Sequence, residues 1–415
     1  MQKLKIFSLF CIFILSMKMQ ANEVKKWTSL TLQAIRINKT APPVSSRNLA
    51  IIQVGMFDSI NSIAKKYRPY AMMIDVNPDL QIDVAAAQSA RDLLVKLYPS
   101  STPYWDEQLA KTLLAFPDNS MKLDARDLGS KIASNVWDLR RNDLKQNVAD
   151  NFFSDSEYEA GIWIPTPPAF AQPLLPNWGK TKPFGILAGD QFRGDGPPKL
   201  YSEEYARDYL EVKEYGGVNS IKRSAWQTEV AKFWSDGGGT VTPPGHWNKV
   251  AFDLINTKKL DTLETSRLLT LLNVALADAA ISCWDMKFTF NAWRPVTAIK
   301  EADRDDNNTT QAEQNWMPLI VTPPFPDYVS GHSTFSGAAA KILELYFGTD
   351  KIDFSVDSED LPGVIHSFSR FSEAASESGR SRVYGGIHYE FSNRDGQTAG
   401  RKIAEYDFKN LLLKK

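Results

Sequence analysis

Residues Pro324–Leu343 read PFPDYVSGHSTFSGAAAKIL. Pro323, Pro324 and Pro326 exclude an earlier helix. The small residues after His332 then favour one, and Gly348 offers a stop. The spacing predicts a helix over 333–346 with Ser330 ahead of it as a candidate N-cap. A helix start can be no more than that, with Ser330 a cap and His332 a surface residue. It also supplies free N–H groups and a partial positive charge, which suit an oxyanion. Gly331 would let the backbone come close to such a ligand. His332, one of four histidines in 415 residues, would then stand beside it, placed for proton transfer.

Two other stretches carry matching chemistry. In WDMKFTFNAWRPV (284–296), Lys287 and Arg294 are seven apart, about two helical turns, which predicts both cations on one helix face. Trp284 shares that face, and Pro295 biases Arg294 out of helical dihedrals, so the helix should end near it. A solvated basic face is the alternative. In GRSRVYGGIHYEF (379–391), Arg382 and His388 flank Gly385 and Gly386. Arg382 offers a forked set of donors suited to phosphate-like oxygens. His388 is a candidate nucleophile or metal ligand, or a structural histidine near a helix start.

Around these stretches the pattern is helical. Residues 83–98, 120–145, 202–213, 224–234, 246–256 and 261–283 keep helical spacing, as do the segments before residue 65, where Ser46 is a candidate N-cap. Long β-branched alternation is scarce, so the fold class is all-α. Residues 164–200 are rich in Pro and Gly and form a long irregular connection. This predicts two packed helical bundles, over residues 22–190 and 191–415, with the site on the second. The first would pack on it, shaping the entrance or a homodimer contact.

Residues 1–21 read as a signal peptide: Lys3 and Lys5, an apolar run from Ile6 to Met17, and a small residue at Ala21. An exported protein, periplasmic or extracellular, follows. No later apolar run of about eighteen residues is expected, so the processed chain should be free of the membrane. The whole chain has 48 basic and 49 acidic residues, and the leader holds three lysines and no acid. This balance argues against nucleic-acid or anionic-membrane partners. Cys283 is the single cysteine after the leader, so no intrachain disulfide forms.

The pattern Lys-x6-Arg-Pro, Ser-Gly-His, Ser-Arg-x5-His, carried by Lys287, Arg294, Pro295, Ser330, Gly331, His332, Ser381, Arg382 and His388, resembles the acid phosphatase/vanadium-dependent haloperoxidase superfamily. SRNLAIIQVGMFDSINSIAKKYRPY, FWSDGGGTVTPPGHWNKVA and RFSEAASESGRSRVYGGIHYEF extend the resemblance to the bacterial secreted vanadium haloperoxidases, from about Arg47 to near the end. Trp284 and Phe325 look like the aromatic residues beside the vanadate of fungal-type chloroperoxidases. The resemblance implies that vanadate is the cofactor and that His388 is its axial vanadium ligand. Lys287, Arg294, Ser330, Gly331 and Arg382 hold its oxygens. His332 is the acid–base, and Lys287 polarises bound peroxide. Hydrogen peroxide, a halide (iodide or bromide, with chloride open) and small organic compounds are the implied partners.

The alternative is a secreted acid phosphatase, in which His388 forms a phosphohistidine and His332 protonates the leaving alcohol. The sequence departs from the superfamily at Ser392, where an Asp four residues after the last histidine is common. Glu390 and Asp395 are nearby substitutes without that spacing. Residues 302–314 fail as an EF-hand, lacking Gly at position six and Glu at twelve. His246 is read as structural or pocket-lining, and His366 as a helix residue.

Overall fold

The computed structural model describes residues 22–143 and 159–415, so the expected leader at 1–21 lies outside the described residues. Some helices begin where the sequence supplies a side-chain cap, others where it supplies proline. In α1 (Glu23–Ile37), the Asn22 side chain accepts from the Lys25 amide. In α2 (Pro42–Ala64), two prolines occupy the first turn, where their missing N–H groups cost nothing. This corrects the expected cap at Ser46, which lies inside α2 and hydrogen-bonds back to the Pro43 carbonyl. Helices α3 (Ile82–Leu97), α4 (Thr102–Leu113) and α5 (Ser120–Arg140) complete the N-terminal set.

After the connection come α6 (Glu203–Gly216), α7 (Ala225–Phe233), α8 (Thr242–Lys258), α9 (Thr262–Phe290), α10 (Pro295–Lys300) and α11 (Gly331–Phe347). Strands β1 (Phe354–Asp357) and β2 (Ile365–Phe368) follow, then α12 (Phe371–Tyr384) and α13 (Glu390–Asn410). The protein is all-α apart from this one antiparallel hairpin among the described residues. In the hairpin Phe354 pairs with Phe368 and Val356 with His366, all four facing inward with period two. His366 is therefore a strand residue, a correction to its helical reading, held by Glu377 at 2.6 Å.

Helix α9 is the central post. By length and composition it would cross a membrane, which corrects the expectation that no such run exists, yet 94% of its apolar window is buried inside the protein. Its buried Asn and Asp side chains are matched. Asn273 pairs with Asn248 of α8 through two 2.8 Å bonds. The Asp278 carboxylate accepts the Phe184, Gly185 and Ile186 amides at 2.6–3.0 Å. Those amides belong to the irregular connection, whose course along α9 is thereby fixed.

Helix α2 packs on α9 from one side, and α11 with α13 from the other, so one continuous apolar core joins both helix sets. The α11–α13 contact is close because glycines line it. A Cβ on Gly400 would stand 2.2 Å from the Thr334 carbonyl, and one on Gly337 2.5 Å from that of Gln397. This proximity brings the first turn of α11 against the first turn of α13, where the Ser330 amide donates to the Ser392 carbonyl at 3.0 Å.

Candidate oxyanion site

Helix α11 starts as its sequence predicts. Ser330 is extended and its hydroxyl accepts from the Ser333 amide, the N-cap arrangement. The Gly331 and His332 amides fall in the first turn, where no intrahelical acceptor exists. They face a cavity of about 760 Å³ lined at its base by Trp284, Phe325, Gly331, His332, Arg382 and His388. Three stretches far apart in sequence thus meet at one place.

Lys287 and Arg294 reach this place differently from the expected single helix face. Helix α9 ends at Phe290 with Asn291 in a left-handed turn, and Arg294 becomes the residue capping α10. Both side chains are nevertheless fully buried behind the cavity wall. Phe325 covers them, its ring centroid 4.9 Å from Lys287 Nζ and 4.9 Å from Arg294 Cζ. Lys287 does not line the cavity. Its three donors are spent on the Pro326, Asp327 and Val329 carbonyls at 2.6–3.0 Å, so it clamps the loop before α11. Burial pushes the Lys287 ammonium down to about 7. The three carbonyls oppose that shift, since only the charged form satisfies all of them. Ser330 also lies behind the wall, its oxygen accepting from the Ser333 hydroxyl at 2.9 Å.

The arginines keep donors in hand. Arg294 Nε donates to the Phe325 carbonyl and Nη1 to the Ile387 carbonyl, both at 2.7 Å, while Nη2 is buried without a partner among the described residues. Arg382 spends Nε on Ser381 and Nη2 on the Ala231 and Trp234 carbonyls, which leaves Nη1 for the cavity it lines. Burial brings both guanidinium groups down to about 10, still charged at neutral pH.

His388 stands 3.0 Å from Arg294 Nη1 through Nε2. A guanidinium only donates, so Nε2 carries the lone pair and Nδ1 the proton. Burial first, then Arg294, Lys287 and Arg382, hold this imidazole well below its ordinary pKa, so it is neutral. His332, 17% exposed into the cavity, has Nε2 3.9 Å from Asp236 Oδ2. The other Asp236 oxygen lies 2.9 Å from His246 Nδ1. Burial and Arg382 also lower His332 well below the usual value, with the Ser235 and Trp234 backbone acting the other way.

Two carboxylates were not singled out in the sequence. Asp236 sits in the glycine-rich turn SDGGG, and Asp327 within PFPDYVSGH itself. The signal for Asp327 was an acid enclosed by prolines and aromatics, which once buried requires a partner. That partner is His388: Nδ1 and Asp327 Oδ1 are 2.8 Å apart. Burial pushes Asp327 up to about 6 against the pull of Arg294 and Lys287. His246 belongs to the Asp236 pair rather than to the cavity wall.

The buried cluster holds the cations Lys287, Arg294 and Arg382 against the carboxylates Asp236 and Asp327, one negative charge short of balance. An oxyanion would supply it. The residues fit one in detail. Arg294 Nη2 lacks a partner, and a Cβ on Gly331 would meet only Trp284, at 3.7 Å, where the cradle would otherwise be filled. Among the described residues no group of three or more His, Cys, Asp or Glu side chains could hold a bare metal ion.

The comparisons agree with this chemistry. Residues 267–412 match the family model of the VCPO second helical-bundle domain. Over 488 aligned residues the chain is 24% identical to the vanadium chloroperoxidase of Curvularia inaequalis, covering 89% of this chain and 79% of that protein. Its fold is similar to that of the first bacterial vanadium-dependent iodoperoxidase, with a TM-score of 0.82, 28% identity, and coverage of 95% of this chain and 97% of the other. A bacterial vanadium-dependent chloroperoxidase in its holo form shares the fold at a TM-score of 0.68 and 15% identity, over 89% of this chain and 92% of that one. Sequence and fold together show that the chain is similar to vanadium-dependent haloperoxidases over most of its length.

Proposed function

We propose that the protein is a vanadium-dependent haloperoxidase that oxidises iodide or bromide with hydrogen peroxide. The observation that carries this reading is the convergence of Arg382, the first turn of α11 and the His388 imidazole on one cavity base, with the unpartnered Arg294 Nη2 buried directly behind His388. These groups would hold vanadate by its oxygens and at its metal, with the Ser330 hydroxyl beside them. Bound vanadate supplies an electrophilic centre that activates hydrogen peroxide towards a halide. The chain's own part is positioning and charge. Arg294 and Arg382 offset the negative charge of the anion, and Lys287 adds a buried positive charge while fixing the loop. His332, neutral and open to the cavity, accepts the proton that hydrogen peroxide must shed and returns it to the leaving oxygen. Asp236 stabilises the imidazolium formed in between.

Above this base the cavity is apolar, walled by Leu174, Leu319, Ile320, Pro323, Pro324 and Phe325. That lining keeps bulk water from the reacting oxygens and accepts a small organic compound for halogenation. The likeness to the iodoperoxidase supports iodide as the first halide to test. We further propose that the chain is exported, on the strength of Lys3, Lys5 and the apolar run after them.

The test uses protein stripped of metal and phosphate. After incubation with orthovanadate it should oxidise iodide with hydrogen peroxide, and the untreated protein should not. Hydrolysis of p-nitrophenyl phosphate by the stripped protein, inhibited by vanadate and without halide oxidation, would overturn the reading in favour of a phosphatase.

A further inference from the structure

We propose that Asp327 is the positioning residue for His388, delivering from the loop ahead of α11 the carboxylate that position 392 lacks. The observations are geometric. His388 Nδ1 and Asp327 Oδ1 are 2.8 Å apart. Among the described residues neither Asp327 oxygen makes another hydrogen bond of full geometry, although the Ser392 side chain and the Tyr389 backbone lie close enough to favour its charged form. Asp327 is fully buried. Its backbone is held on every side: the amide donates to Ala292 O at 2.9 Å, and the carbonyl accepts from Lys287 Nζ at 3.0 Å and Ser392 Oγ at 3.2 Å.

Ser392 therefore touches the residue that stands in for it. Neither neighbouring acid of α13 competes. Glu390 is engaged by Arg380 and Asn393, and Asp395 by Tyr328 and Arg394. A charged acceptor at Nδ1 fixes the proton there and turns the Nε2 lone pair towards Arg294 and the oxyanion seat. Lys287 shares in this role, because its clamp on Pro326, Asp327 and Val329 sets where the carboxylate stands.

The orientation is defined without any bound anion, so it can be tested apart from the haloperoxidase reading. Long-range nitrogen–proton spectra of histidine-labelled, anion-free protein would resolve the four imidazoles, with His388 assigned by its loss in His388→Gln. The native protein should show His388 with the proton on Nδ1. Asp327→Asn keeps the shape and removes the charge. It should populate the other tautomer and weaken orthovanadate binding, followed by calorimetry, about tenfold or more. The exchange Asp327→Ser with Ser392→Asp should recover most of the lost affinity relative to Asp327→Ser alone. An unchanged His388 signal and vanadate affinity in Asp327→Asn would overturn the proposal. So would a native His388 protonated on Nε2, or a folded exchange variant that binds no better than Asp327→Ser. Should the exchange variant fail to fold by circular dichroism, the spectra and affinity of Asp327→Asn decide alone.

Discussion

At the scale of single residues, Arg382, His388 and His332 have separable effects. Arg382→Ala and His388→Ala remove groups that would hold the oxyanion, so vanadate-dependent turnover should fall at least about a hundredfold while the unfolding transition persists. His332→Ala should keep vanadate affinity within about threefold and lose turnover about a hundredfold, because its proposed part is proton transfer. Equal losses of binding in the His332 and His388 variants would contradict that division. Both histidines are held below the ordinary 6.5 in the folded protein. On acidification through about 6.5 the unfolded chain therefore takes up protons that the native state refuses, and native stability falls. Denaturant unfolding of anion-free protein at pH 7.5 and 5.5 should show this loss, and His388→Gln should reduce it. Much of this site was legible beforehand because its residue types are rare and their spacing is tight: His332 behind Ser330 and Gly331, and Arg382 six before His388. Asp327 and Asp236 were not, because a carboxylate gains its meaning from burial beside a histidine distant in sequence.

At the scale of elements, local chemistry was readable and its competitors were not. Ser330 and Gly348 bound α11 as expected, since Ser330 acts through its hydroxyl on an amide three residues on and Gly348 through its own left-handed backbone. Ser46 lost to Pro42 and Pro43, because a proline-led first turn needs no side-chain cap. Arg294 left the helix of Lys287 at the Asn291 turn, yet the two converge because α10 folds back under Phe325. His366 reads as strand once Phe354 and Phe368 are seen to share its buried face. The contact between α13 and α9 carries a prediction of its own. Among the described residues no donor reaches either buried oxygen of Asp407, and burial beside Asp278 holds its carboxyl well above the ordinary 3.8. Its folded pKa is raised, so the native state keeps a proton that the unfolded chain releases, and stability drains away as pH rises above about 3.8. Asp407→Asn has no such proton to lose. Its advantage in unfolding free energy over the native protein should grow from pH 5 to pH 8, with halide turnover unchanged, and a constant difference would refute the assignment.

At the scale of the molecule, the long connection and the loop before α11 wall the cavity, while α9, α11 and α13 provide a rigid base. The all-α class was legible from helical periodicity. The shared core was not, because the α2–α9 contact joins residues more than two hundred positions apart. The depth of the cavity sets what reaches the base. Leu319→Trp narrows the apolar upper wall without touching the cations. It should leave iodide oxidation within about twofold and cut halogenation of a bulky aromatic acceptor several-fold. Equal effects on both would show that the organic compound reacts outside the cavity.

The claim on which everything else depends is that Arg294 and Arg382, backed by the buried charge of Lys287, seat one oxyanion beside His388. Calorimetric titration of orthovanadate into phosphate-free protein tests it most directly. The account predicts one saturable site per chain, competed by phosphate and weakened at least about tenfold in His388→Ala. No saturable binding, or binding unchanged by the loss of His388, would contradict it.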